Sequence, residues 1–313
     1  MLATLTATLL MPLMSTIDLP TAVWQVAPPA VAEFNGQPIE LKKTKDRAAL
    51  LVHGLVLRVI QPSKAGQPEL HEWQLAKSPM AQALAADFDV FSFSYAQTTS
   101  CDLVASSPGM RDQVAKLRKA GYKEIVLIGH SAGGLIVRQF VERFPKSGVT
   151  KVLEICAPNT GTELATIGIG LPKPQVPFIK SLAPGLRQVA AIEPVLIDES
   201  IEFCAVVCKV PGLAHDTLVN IESQWPRELQ RQGIPAVLIG INHFDAMKSP
   251  FSVAAIHELA RERLVRWTPE QVEKARTIIF GRDADAAAIR DPKAKDRPFL
   301  RNIGKRLLDR YNP

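Results

Sequence analysis

Two kinds of segment alternate along most of this chain. Short apolar runs bounded by glycine, proline or polar clusters give way to longer stretches with apolar residues at three- and four-residue spacing. The short runs read as buried strands: Ala48-Ala49-Leu50-Leu51-Val52, Ile125-Val126-Leu127-Ile128, Val152-Leu153-Glu154-Ile155-Cys156-Ala157, Cys204 to Val210, and Ala236-Val237-Leu238-Ile239-Gly240. Asp89-Val90-Phe91-Ser92-Phe93-Ser94-Tyr95 adds a strand with period-two alternation. Helical spacing covers Pro79 to Ala86, Met110 to Ala120, Gly134 to Phe144, Gln224 to Arg231 and Pro250 to Leu264. Ser107-Pro108 and Thr268-Pro269-Glu270-Gln271 carry helix-start signals, and Gly121 a stop. Continuous apolar strands separated by helices predict an α/β fold with a mostly parallel central sheet flanked by helices.

The rhythm breaks from Thr162 to Ser200, between the strands near 152–157 and 204–210. That segment is long, rich in proline and apolar, with Ile167, Ile169, Leu171, Val176, Phe178, Ile179 and Leu182. Long insertions of this kind are commonly functional, so residues 162–200 are expected to form a lid or cap; an irregular connection packed on the sheet is the alternative. The expected organisation is an N-terminal segment 1–47, a catalytic domain 48–267 containing that insertion, and a basic helical tail 268–313. Within the first segment, Leu2 to Met14 is apolar but shorter than the roughly 20 residues of a membrane-spanning helix. It lacks a basic n-region, although Ala30-Val31-Ala32 resembles a signal-peptide cleavage site. A cytoplasmic location is favoured, with export as the alternative. Asn35-Gly36 marks a hairpin turn.

Composition narrows the picture. With 313 residues and 47% hydrophobic positions the chain can bury a large core, which excludes the disordered class. Its net charge of +6 comes largely from the tail beyond Arg282, where lysines and arginines alternate with Asp283, Asp285, Asp291, Asp296 and Asp309. Mixed signs of this kind describe a solvated helix, and no nucleic-acid partner is expected. Cys204 and Cys208, four apart on one strand, stand about 13 Å apart at about 3.3 Å per residue, too far for a disulfide. Cys101 and Cys156 complete the set, Cys156 in an apolar run that suits a buried thiol, and no metal-ligand spacing appears.

The chemistry centres on Gly129-His130-Ser131-Ala132-Gly133, a G-x-S-x-G pattern between a buried strand and a helix. A serine lifted above a sheet on a tight turn requires small neighbours two residues either side. Its hydroxyl needs a histidine base and a carboxylate that fixes that histidine's tautomer. Sites in such sheets form at the carboxyl ends of strands. His215 and His243 both follow strands, but only His243 follows the last one, completing the order Ser131, Asp216, His243. His53 suits a backbone-donor loop better than a base, His71 a polar surface loop, His257 a helix face; His130 adjoins the serine too closely to turn back to it. Asp216 is preferred over Asp198, Glu222 and Asp245 by its place after the penultimate strand. An oxyanion formed at Ser131 needs backbone donors. Ala132 N–H supplies one, and Leu55 N–H, after His53-Gly54, the other.

Together Leu51-Val52-His53-Gly54, the elbow, Ala157 to Ala165, Asp216 with Leu218-Val219, and His243 resemble α/β-hydrolases of the bacterial lipase and esterase type, from about Ala48 to about Leu264. Where such lipases often read Pro-His-x-Gly, this chain has Asn159. The resemblance implies a Ser131–Asp216–His243 triad, a lid in 162–200, a small-molecule or lipid ester substrate with transient contact at a lipid interface, and no cofactor. Acyl transfer, or thioester, lactone or amide cleavage, on the same triad remains an alternative, as does a non-catalytic binding protein of this fold.

Overall fold

The computed structural model describes residues 19–28, 41–166, 171–190, 195–281 and 289. The apolar N-terminal run, the Asn35-Gly36 turn and most of the basic tail lie outside them. Seven strands form one sheet: β1 (Thr21–Ala27), β2 (Arg47–Val52), β3 (Asp89–Tyr95), β4 (Glu124–His130), β5 (Lys151–Ile155), β6 (Glu202–Cys208) and β7 (Ala236–Ile239). Their order is β1-β3-β2-β4-β5-β6-β7, and every pairing is parallel except that of β1 with β3. The α-helices of the described residues are α1 (Pro79–Leu84), α2 (Cys101–Ala105), α3 (Pro108–Lys119), α4 (Ala132–Arg143), α5 (Val176–Lys180), α6 (Pro184–Ala190), α7 (Ile221–Gln224), α8 (Arg227–Arg231), α9 (Pro250–Arg261) and α10 (Pro269–Phe280).

β2 to β7 show few solvent-facing positions because helices cover both faces of a parallel sheet. That arrangement turns the apolar runs into a single core. Two elements differ from the sequence expectation. β1 has no period-two signature, since its burial follows a bulge rather than strict alternation. The expected helix Gln224 to Arg231 begins only at Arg227, because Pro226 interrupts the run and takes the N-cap place of α8, while Gln224 ends the separate α7.

The described part of the insertion packs onto the body. Phe178 and Gln175 are fully buried, and the Phe178 ring lies 5.9 Å from that of Tyr95 at the end of β3. Ser181 Oγ accepts from Cys101 N at 3.1 Å, and Thr162 N donates to Leu182 O at 2.9 Å. Arg187 pairs with Asp102 at 3.1 Å. α10 packs through Val272, Ala275 and Ile279, and Phe280 stacks on Trp225 at 6.0 Å. All four cysteines are buried free thiols. No helix among the described residues is long and apolar enough to cross a membrane.

Candidate active site

Ser131 stands between β4 and α4 with φ 57° and ψ −128°, a conformation that L-residues rarely adopt. Such strain persists only where the surroundings hold it. Here Ser131 N donates to Ile155 O at 2.8 Å, and Ser131 O accepts from Gly134 N at 2.9 Å. The flanking glycines have steric causes. A Cβ on Gly129 would sit 2.3 Å from Gly133 O, and one on Gly133 would sit 2.2 Å from Val52 O and 2.4 Å from His53 O. The first turn of α4 therefore lies directly against the ends of β2 and β4.

Gly54 completes that contact. A Cβ there would meet Ser131 Cβ at 2.6 Å and Ser131 Oγ at 3.1 Å. The loop carrying Leu55 thus abuts the serine hydroxyl. Neither Leu55 N nor Ala132 N donates to a protein acceptor among the described residues. His53 sits behind this loop rather than in it. Its ring is buried, stacks on Tyr95 at 4.6 Å, and contacts Gly54 O at 2.7 Å through Nδ1 and Ser94 Oγ at 3.2 Å through Nε2. Burial pushes its pKa down to about 4, so the imidazole is neutral near pH 7.

Asp216 and His243 come together from the loops after β6 and β7. Asp216 is fully buried; its Oδ2 lies 2.7 Å from His243 Nδ1, and its Oδ1 accepts from Leu218 N at 2.9 Å and Val219 N at 2.8 Å. His243 N donates to Asp216 O at 2.7 Å, so the two loops are joined through backbone as well. A carboxylate acceptor at Nδ1 makes that nitrogen the N–H and leaves the lone pair on Nε2. The turn bearing the acid is tight: Thr217 has φ 97°.

His130 bridges the two halves. Its Nε2 donates to His243 O at 3.0 Å and its ring centroid lies 4.8 Å from that of His243. Burial first, and then the neighbouring His243, push the His130 pKa well below its usual value. No hydrogen bond joins Ser131 Oγ to His243 among the described residues. Cys156, on the strained residue after β5 (φ 54°), brings its thiol into the same cluster: His130, Cys156 and His243 each offer a possible metal-ligand atom within 4.8 Å of the others.

Ser131, Asp216 and His243 all emerge at the carboxyl ends of parallel strands, where open α/β sheets place their sites. No protein-family model matches the chain, and no curated protein does. The mature lipase BlEst2 of Bacillus licheniformis superposes with a TM-score of 0.55 at 12% identity, over 72% of this chain and 96% of that one. Phospholipase PlaB of Legionella pneumophila gives 0.50 at 13% identity, over 84% of this chain; the aligned part spans 64% of PlaB. The fold is the α/β-hydrolase fold.

Within this α/β-hydrolase fold, several residues that shape the site carried no sequence signal. Glu154, on β5 beside the first turn of α4, is buried, with Asn159 and Arg138 as its polar neighbours. Gln97 and Gln175 reach the Leu55 loop from separate segments. His71 differs from its expected exposed place: it is half-buried, 6.5 Å from the Trp73 ring, which in turn packs edge-on to His130. Asn159 is buried and accepts from Arg138 at 2.8 Å, a packing role for the residue that replaces the lipase histidine. A cavity of about 590 Å³ lies beside the acid loop, between Thr160 to Leu164 and His215 to Ser223; Ser131 and His243 do not line it.

Proposed function

We propose that this chain is a serine hydrolase that cleaves carboxylic esters with a hydrophobic acyl part through an acyl-enzyme. The observation that carries the reading is a serine on a strained strand–helix turn, with the ring of a carboxylate-held histidine packed against the residue before it. Ser131 Oγ attacks the ester carbonyl while His243 Nε2 takes its proton. Asp216 holds the imidazole in the required tautomer and stabilises the imidazolium that forms. Leu55 N–H and Ala132 N–H receive the developing oxyanion. His243 then protonates the departing alkoxide, and the same groups run in reverse with water as the nucleophile.

The apolar preference is supported by exposed apolar side chains that follow site residues in the chain. Leu57, Val59 and Ile60 follow the oxyanion loop, and Phe244 follows His243; all are exposed. The test is a p-nitrophenyl ester chain-length series on the wild-type protein and Ser131→Ala, with fluorophosphonate labelling as a second readout. Turnover and labelling are expected to require Ser131. Hydrolysis that survives Ser131→Ala refutes the mechanism, and added alcohols or amines in the same assay separate hydrolysis from acyl transfer.

A further inference from the structure

The Gly54–Leu55 peptide is the element on which the proposed oxyanion donor depends. Glycine at 54 is required because a Cβ would collide with Ser131. The same glycine removes the steric restraint that would keep the peptide plane from flipping. Because the peptide unit is planar and trans, its N–H points opposite to its C=O. Whatever holds Gly54 O therefore aims Leu55 N–H.

Two buried amides and one imidazole supply that hold. Gln97 Nε2 donates to Gly54 O at 2.8 Å, and His53 Nδ1 stands 2.7 Å from the same oxygen. The other end of the Gln97 amide grips the next peptide, since Oε1 accepts from Val56 N at 3.0 Å. Gln175 extends the chain of bonds: its Nε2 donates to Gln97 Oε1 at 3.0 Å and to Val56 O at 2.8 Å, and its Oε1 accepts from Arg58 N at 2.8 Å. Gln97 also anchors to the body, where Gln97 N donates to Ala65 O at 2.7 Å. Each donor and acceptor atom of the two side-chain amides is used, and Gln175 belongs to the segment inserted between β5 and β6.

We propose that Gln97 and Gln175 are positioning residues that lock the Gly54–Leu55 peptide with its N–H towards the oxyanion, so that the inserted segment sets the catalytic competence of the serine centre. The proposal rests on the serine-hydrolase reading above. It assigns the insertion a task other than covering the site: through Gln175 it acts as a strut. Deleting or loosening the strut costs turnover rather than ester binding, because the oxyanion exists only in the transition state.

The test compares wild type, Gln97→Met, Gln175→Met and the double substitution in p-nitrophenyl ester hydrolysis, with near-ultraviolet circular dichroism as the check on folding. Removal of an oxyanion donor costs about 10²–10³-fold in kcat. A misaimed donor is expected to cost kcat about 10²-fold with KM nearly unchanged, and the double variant is expected to be little worse than either single one. Affinity for a trifluoromethyl ketone, whose adduct places an oxyanion in the hole, should fall with kcat, while affinity for the corresponding secondary alcohol stays constant. Gln175→Glu gives an independent readout that a purely structural role would not move. Its carboxylic acid can donate to Val56 O and its carboxylate cannot, so activity lost at high pH should return on acidification, relative to wild type. Folded variants with wild-type kcat and ketone affinity overturn the clamp while leaving the hydrolase reading intact. A wild-type protein inert to esters and to fluorophosphonate overturns both.

Discussion

Replacing Glu154 by glutamine keeps the side chain's shape and removes one titration from the core. Glu154 lies on β5, buried beside Gly134, in a cluster with more acids than bases. The buried Arg138 guanidinium is already engaged by Glu142 at 2.8 Å, Glu228 at 3.3 Å and Asn159 Oδ1 at 2.8 Å. Burial raises the Glu154 pKa from 4.5 to about 8, against the opposing pull of Arg138. The folded protein therefore holds a neutral carboxylic acid at pH 7, whereas the unfolded chain holds a carboxylate. For an acid whose folded pKa is raised, the stability contribution is complete below pH 4.5 and is lost as pH rises towards 8. At about 1.36 kcal/mol per unit, the shift amounts to about 5 kcal/mol, a large share of a typical domain's total stability. Denaturant unfolding of wild type and Glu154→Gln at pH 5 and pH 9 isolates it, since other titrating groups are common to both. The variant should become the more stable of the two at pH 9, by several kcal/mol relative to their difference at pH 5. A difference that stays constant across that range refutes the assignment of a buried neutral acid.

His53 predicts the opposite slope at the acid end. Its folded pKa of about 4, against 6.5 unfolded, removes about 3 kcal/mol of stability as pH falls from 6.5 to 4, and His53→Asn should abolish that loss in acid-unfolding curves. Gly133→Ala forces a methyl to within 2.2 Å of Val52 O and 2.4 Å of His53 O, both backbone, so thermal unfolding should show a loss of about 3 kcal/mol or more; an unchanged midpoint would contradict the close packing of α4. Asp216→Asn keeps the size but reverses the hydrogen-bond sense at His243 Nδ1. Ester turnover should fall about 10⁴-fold in a folded protein, measured as kcat, and a loss under tenfold would remove Asp216 from its proposed role.

Much of the sheet was legible because parallel strands buried on both faces leave unmixed apolar runs, as in Ile125 to Ile128. The G-x-S-x-G pattern was legible because steric exclusion at Gly129 and Gly133 leaves only glycine. Chain order suggested Asp216 and His243 as partners, and the loops after β6 and β7 do bring them to 2.7 Å. What escaped was anything fixed by contact between distant segments. Gln97 and Gln175 are 78 residues apart and share no spacing rule, although Gln97 does stand at the carboxyl end of β3. Glu154 reads as an interruption in an apolar run; its neutrality depends on how Arg138 is shared. β1 pairs at the edge with a bulge after Gln25, and a bulge erases the alternation that announces a strand.

The far edge of the sheet bears on how this protein can be cut and joined. Beyond α10, Ile289 returns to β7, where its N–H donates to Leu238 O at 2.9 Å and its carbonyl accepts from Gly240 N at 2.8 Å. One buried residue thus occupies backbone groups that an exposed edge would offer to a second molecule. A truncation placed at the start of α10 would strip Phe280 from Trp225 and open that edge at once. Shortened or fused versions should therefore keep the chain through Ile289, and a partner domain attached beyond that residue would leave the β7 edge closed.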